Sequence, residues 1–111
     1  MKLAIAALLW LGPALVLVFM SIPLILGKIP PNKMYGLRVK KTLESPDIWY
    51  PANQYAGWAM LWAGVTTLIM TTLLAFIPQV SIAVYGIVCL VVFVAAVVIS
   101  VVLSFINLSR L

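Results

Sequence analysis

Apolar residues fall in three long blocks rather than in alternating or one-sided patterns. The first covers roughly Leu3–Leu26, broken only by Gly12, Pro13, Ser21 and Pro23; the second covers roughly Ala56–Ile77 and the third roughly Ser81–Ile106. At about 1.5 Å per residue the first block reaches about 36 Å, enough to cross a hydrocarbon core of about 30 Å. A helix satisfies its own backbone hydrogen bonds, so one surrounded by lipid needs no polar face. The pattern predicts an all-α integral membrane protein: one domain over residues 1–111, with spans at about 3–26, 56–77 and 81–106 and a polar loop, 27–55, between the first two. Lys2 ahead of Leu3–Leu9 looks like the start of a signal peptide. The run continues to Leu26 with no small-x-small site after it, which predicts a span instead. Pro13 and Pro23 are expected to kink that helix, because each removes a donor and crowds the preceding turn.

The polar loop carries signals of its own. Pro30-Pro31-Asn32 marks a turn, and Gly36 is a second flexible point. Ser45 fits an N-cap, Pro46 the first helical position, and Asp47 adds negative charge to the first turn. The helix they start is expected to run through Trp49, Asn53 and Gly57 into the second span, with Pro51 bending it or delaying its start. Within the second span Ala59, Ala63, Thr67, Thr71 and Ala75 are each four apart, and Ala96, Ser100 and Ser104 repeat that spacing in the third. Such lines predict close helix approach, within the chain or with a second copy in a homo-oligomer. Their hydroxyls are expected to bond back to their own helix. Pro78-Gln79 makes a short turn between the last two spans.

Composition narrows the class. Of 111 residues 66% are hydrophobic and 8% charged, with a mean hydropathy of +1.24. A soluble domain has about 25% charged residues, and a disordered chain is less apolar. There is no His, and Cys89 is the only Cys, set in an apolar run. That excludes an intrachain disulfide and any His or multi-Cys metal site, and Cys89 is expected to be inert packing. No cofactor is expected either.

The net charge is +5, with Glu44 and Asp47 the only acids. In a membrane protein this points to topology and to anionic membrane lipids rather than directly to nucleic acid. Lys28, Lys33, Arg38, Lys40, Lys41 and Arg110 fall on one side of a three-span arrangement, against Lys2 on the other. The loop and C-terminus are therefore expected in the cytoplasm and the N-terminus outside. Trp49, Tyr50, Tyr55, Trp58 and Trp62 cluster at the start of the second span, as an interfacial belt or a binding platform.

Several chemistries are missing. The spans contain no Asp, Glu, His, Lys or Arg beyond their flanks, which disfavours a proton- or cation-coupled transporter. No phosphate loop, catalytic carboxylate pair or nucleophile–base pair can be assembled. Glu44 and Asp47 fit helix caps better than an acid–base couple. An enzyme is not expected.

Candidate binding residues therefore come from the loop: Asn32, Gly36, Arg38, Thr42, Trp49 and Asn53. Trp49, Asn53 and Gly57 share one helix face. Arg38 offers a permanent cation with a planar fork suited to carboxylate or phosphate. Asn32 and Asn53 supply amides, and Trp49 a ring that stacks on a guanidinium. Two roles stay open. Arg38 caps helix carbonyls or pairs with Glu44 or Asp47 inside the fold, or the group binds an external ligand.

The ordered run Gly27-Lys28-Ile29-Pro30-x-Asn32, Gly36-Leu37-Arg38, Thr42-Leu43-x-Ser45 and Trp49-x-x-x-Asn53-x-x-x-Gly57 resembles the SdpI family. That family is named after a bacterial membrane protein conferring immunity to a secreted killing peptide. Val39 departs from the Thr common in that pattern, Pro51 interrupts the helix start, and the full immunity protein has further spans. The resemblance implies a bacterial plasma-membrane protein acting in toxin immunity or membrane signalling, with a peptide toxin, a cytoplasmic regulator or a lipid as partner. Two alternatives compete. One is a small transporter or channel-like oligomer for a lipid or amphipathic solute, with Thr66, Thr67, Thr71 and Thr72 along its path. The other is an accessory subunit of a larger membrane complex.

Overall fold

The computed structural model describes residues 2–32 and 34–111, with side chains from Ile5 onward; Lys33 lies outside the described residues. Four helices follow in order: α1 (Lys2–Ile25), α2 (Lys40–Leu43), α3 (Pro46–Ala75) and α4 (Ile82–Ser109). No strand occurs among the described residues. Three helices, α1, α3 and α4, are long and apolar enough to cross a membrane. They form a rod of 52 × 22 × 18 Å. The middle helix, α3, packs against α1 and α4, which touch each other far less. One contact between those two is Trp10 against Phe93, with ring centroids 6.0 Å apart.

Local chemistry sets the helix ends. Ser45 caps α3, its hydroxyl accepting from the Asp47 N–H at 3.2 Å, with Pro46 and Asp47 in the first turn as their residue types favour. Ser81 caps α4 by accepting from the Val84 N–H at 3.2 Å. Gly27, at φ +68°, closes α1: its N–H bonds to the Leu24 carbonyl and the Lys28 N–H to that of Pro23. This paired closure needs a left-handed residue, and glycine takes that conformation without a steric penalty.

Pro51 does not delay α3, which begins at Pro46 and runs without a break to Ala75. It falls early in the helix on an exposed face, so only the Asp47 carbonyl loses its helical donor. Helix α1 likewise continues through Pro13 and Pro23. At 30 residues α3 is about 45 Å long, more than the apolar core requires. Gly57 sits beside Ile25, the last residue of α1, so the Pro46–Ala56 stretch projects past the end of α1.

Close packing centres on α3. A Cβ on Gly57 would lie 2.9 Å from Ile25 Cγ1 and 3.0 Å from the Ile25 backbone nitrogen. One on Gly64 would lie 2.8 Å from Val18 Cγ2 and 2.9 Å from the Ala14 carbonyl oxygen. These two glycines, seven residues apart, let α1 lie against α3. The expected small-residue line is buried at Ala63, Thr67 and Thr71, while Ala59 and Ala75 at its ends are half-buried. Thr67 and Thr71 donate to the Ala63 and Thr67 carbonyls at 2.8 and 2.7 Å, as expected for hydroxyls in lipid. Tyr85 of α4 donates to the Thr71 carbonyl at 2.8 Å. Thr66 and Thr72 are exposed on other faces, so the four threonines line no common path. Outside, Leu9, Phe19, Trp62, Leu73, Ile87 and Val91 are all exposed, the surface lipid solvates.

Candidate functional site

The loop is folded from its own side chains inward. Asn32 builds the first turn: its Oδ1 accepts from the Met34 and Tyr35 N–H groups at 2.8 and 2.7 Å, and its Nδ2 donates to the Pro30 carbonyl at 2.8 Å. This is the local bonding that makes Asn a turn residue. Tyr35 then reaches back to α1, its hydroxyl donating to the Met20 carbonyl. Burial pushes the Tyr35 hydroxyl above its ordinary pKa.

Next comes a clamp on α3. Gly36 has φ +105°, and a Cβ there would come within 2.6 Å of Asn53 Oδ1 and 3.3 Å of Trp49 Cη2. Only glycine fits both the backbone angle and the space. The Leu37 N–H donates to Asn53 Oδ1 at 2.5 Å. The Leu37 carbonyl accepts from the Thr42 hydroxyl at 2.8 Å and from Asn53 Nδ2 at 3.5 Å. Asn53 Nδ2 also donates to the Trp49 carbonyl at 3.0 Å, and Trp49 Nε1 donates to the Ile29 carbonyl at 2.8 Å. Thr42 Oγ1 accepts from the Val39 N–H at 3.0 Å, turning the chain into α2. Lys41 extends to α4, where its Nζ donates to the Leu108 carbonyl at 2.8 Å. A lysine at a helix C-terminus also meets the negative end of the helix dipole.

The structure thus brings Gly36, Thr42, Trp49 and Asn53 together, with Asn32 shaping the adjoining turn. Trp49 and Thr42 are 0% exposed and Asn53 2% exposed. Among the described residues no buried side-chain nitrogen or oxygen lacks a partner. Their polar atoms hold the loop to the bundle, and the fold shields them from outside contact. Trp49 is set apart from Tyr55, Trp58 and Trp62, which stay exposed along α3. Arg38 differs from the other five in being exposed; Lys28, Lys40 and Met34 are exposed with it. The outer face of the loop is cationic, over a buried amide and indole scaffold.

Tyr35, Lys41 and Gly64 have structural roles that local sequence does not assign. Tyr35 and Lys41 bond to carbonyls 15 and 67 residues away, and local spacing carries no trace of such pairs. Gly64 had a signal, the seven-residue interval from Gly57.

An apolar bundle of three spanning helices, capped at one end by an ordered cationic loop, defines a small polytopic membrane protein whose distinctive part is that loop. The chain belongs to the SdpI/YfhL protein family, whose model matches residues 28–106, from the start of the loop almost to the end of α4. No curated protein and no solved structure gives a match.

Proposed function

We propose that this chain works by recognition without catalysis, acting in toxin immunity or membrane signalling through the outer face of the loop. The partner is a peptide or protein, met by Arg38 and the exposed residues around it. One observation carries this reading: the loop is fastened to α3 by buried, fully partnered side chains, while Lys28, Arg38 and Lys40 are exposed on it. A surface ordered beforehand loses less conformational entropy on binding. Arg38 suits a carboxylate-bearing partner, because its planar fork donates two parallel hydrogen bonds.

The proposed setting is a bacterial plasma membrane, with the loop and C-terminus in the cytoplasm and the N-terminus outside. Support comes from the basic residues gathered at one end of the rod, where Lys41 meets the Leu108 carbonyl. Sidedness is testable by replacing Cys89 with Ser, placing a single Cys at Lys33, and adding a membrane-impermeant thiol reagent to intact cells. Labelling only after lysis is expected. Labelling of intact cells would put the loop outside and make direct capture of an extracellular peptide the mechanism.

Recognition itself is tested by Arg38→Ala. The variant is expected to insert at wild-type levels yet lose protection against the secreted killing peptide. Full protection by an inserted variant would remove Arg38 from the functional centre.

A further inference from the structure

Near the loop, α1 and α4 are separated by a crevice of about 250 Å³. Met20 and Leu24 of α1 form one wall, Val101 and Ser104 of α4 the other, with Met60 of α3 as floor and Leu37 as roof. The hydroxyls in its lining are all bonded to backbone carbonyls. Ser104 donates to the Ser100 carbonyl at 2.7 Å, Ser100 to that of Val97 at 2.8 Å, and Tyr35 to that of Met20. The lining is mostly apolar and, through its methionines, adaptable. With these hydroxyls already committed as donors, an alkyl chain suits the space better than a polar solute.

The charges above the crevice specify the rest of the ligand. Lys41 Nζ bonds to the Leu108 carbonyl, one helical turn beyond Ser104, which places the ammonium over the α4 wall. An ammonium has three N–H groups, so two remain after that bond. Arg38, the residue after Leu37, is exposed on the same loop. Against these cations the whole chain sets only Glu44 and Asp47, for a net charge of +5. A mostly apolar crevice with an ammonium beside it complements one class of molecule in a bilayer.

We propose that the crevice holds one acyl chain of an anionic phospholipid, with its phosphate against Lys41. The lipid wedges α1 and α4 apart beneath the loop. This goes beyond the recognition role and holds whatever partner the outer face of the loop meets.

The test uses the full chain in mild detergent, incubated with phosphatidylglycerol or with phosphatidylcholine of the same chains and read by native mass spectrometry. Wild type is expected to retain one phosphatidylglycerol in preference to phosphatidylcholine. Lys41→Gln is expected to weaken phosphatidylglycerol binding about fivefold, the weight of one cation at an anionic surface, with Lys41→Arg restoring it. Val101→Trp, which fills the crevice from a lipid-facing position, is expected to reduce binding of both lipids. Lys2→Gln, at the other end of the rod, is expected to change neither. Equal retention of the two lipids by wild type would overturn the proposal. So would equal losses in Lys41→Gln and Lys2→Gln, which would mean diffuse adsorption, or unchanged binding in Val101→Trp. Protein–partner binding plays no part in these readouts, so this site and the recognition role fail separately.

Discussion

Gly64→Ile is expected to separate α1 from α3 and to cost about 3 kcal/mol of stability, the upper end of the range for forcing methylenes into a packed interface. The first added carbon already lies 2.9 Å from the Ala14 carbonyl oxygen and 2.8 Å from Val18 Cγ2. A side-chain methyl can rotate aside, but a backbone oxygen moves only with its helix. In lipid nothing compensates. Separated helices lose no hydrophobic burial by facing acyl chains, so what holds α1 on α3 is fit between small residues and the bonds around them. Gly12→Ile is the matched control: a Cβ there meets nothing within 4 Å, and the position is exposed. Unfolding of both variants by sodium dodecyl sulfate titration in bicelles should show a large loss for Gly64→Ile and little for Gly12→Ile. Similar losses in both would mean that helix propensity, rather than the α1–α3 contact, sets the effect.

Asn53→Leu is expected to release the loop while leaving the three spans in place. Leucine keeps the branching and side-chain heavy-atom count of asparagine but carries no donor or acceptor. The Leu37 N–H then loses its acceptor, and the Leu37 and Trp49 carbonyls each lose a donor. Leaving a buried backbone group unpaired costs about 1–3 kcal/mol, enough to open a segment tied down by a few such bonds. Trypsin reports the change. Cleavage after Arg38 and Lys40 should be slow in wild type and much faster in Asn53→Leu, with the SDS-induced unfolding of the spans unchanged. Equal cleavage rates would mean that the clamp does not order the loop.

How much of this was legible in the chain follows from how local each cause is. Lipid selects by composition over about twenty residues, so the three spans read directly from their apolar blocks. The start of α3 was equally plain, because Ser45, Pro46 and Asp47 act within one turn. Of the two effects that Pro51 suggests, a bend or a later start, the later start does not occur, since its lost bond involves a single carbonyl near an exposed helix end. Periodicity placed Trp49, Asn53 and Gly57 on one face of α3, but it could not say that Gly36 and Leu37 would lie against Asn53. That pairing closes across 16 residues of chain, through backbone groups that every residue type carries. The Trp49 indole illustrates the same limit. Grouped by sequence with the interfacial aromatics, it is fully buried, because its N–H is within reach of the Ile29 carbonyl. Arg38 was singled out by its chemistry, and its exposure is what distinguishes it from the other candidates.

The loop is a folded part of the bundle, and the Leu37 amide tests that most directly. Its hydrogen–deuterium exchange can be followed in the full chain in lipid nanodiscs. Bonded to a buried Asn53 amide oxygen, it should exchange about 100-fold or more slower than an unstructured amide, and Asn53→Leu should erase most of that protection. Exchange of the wild-type amide at the unstructured rate would mean that the loop is not held to α3, and the ordered recognition surface would go with it.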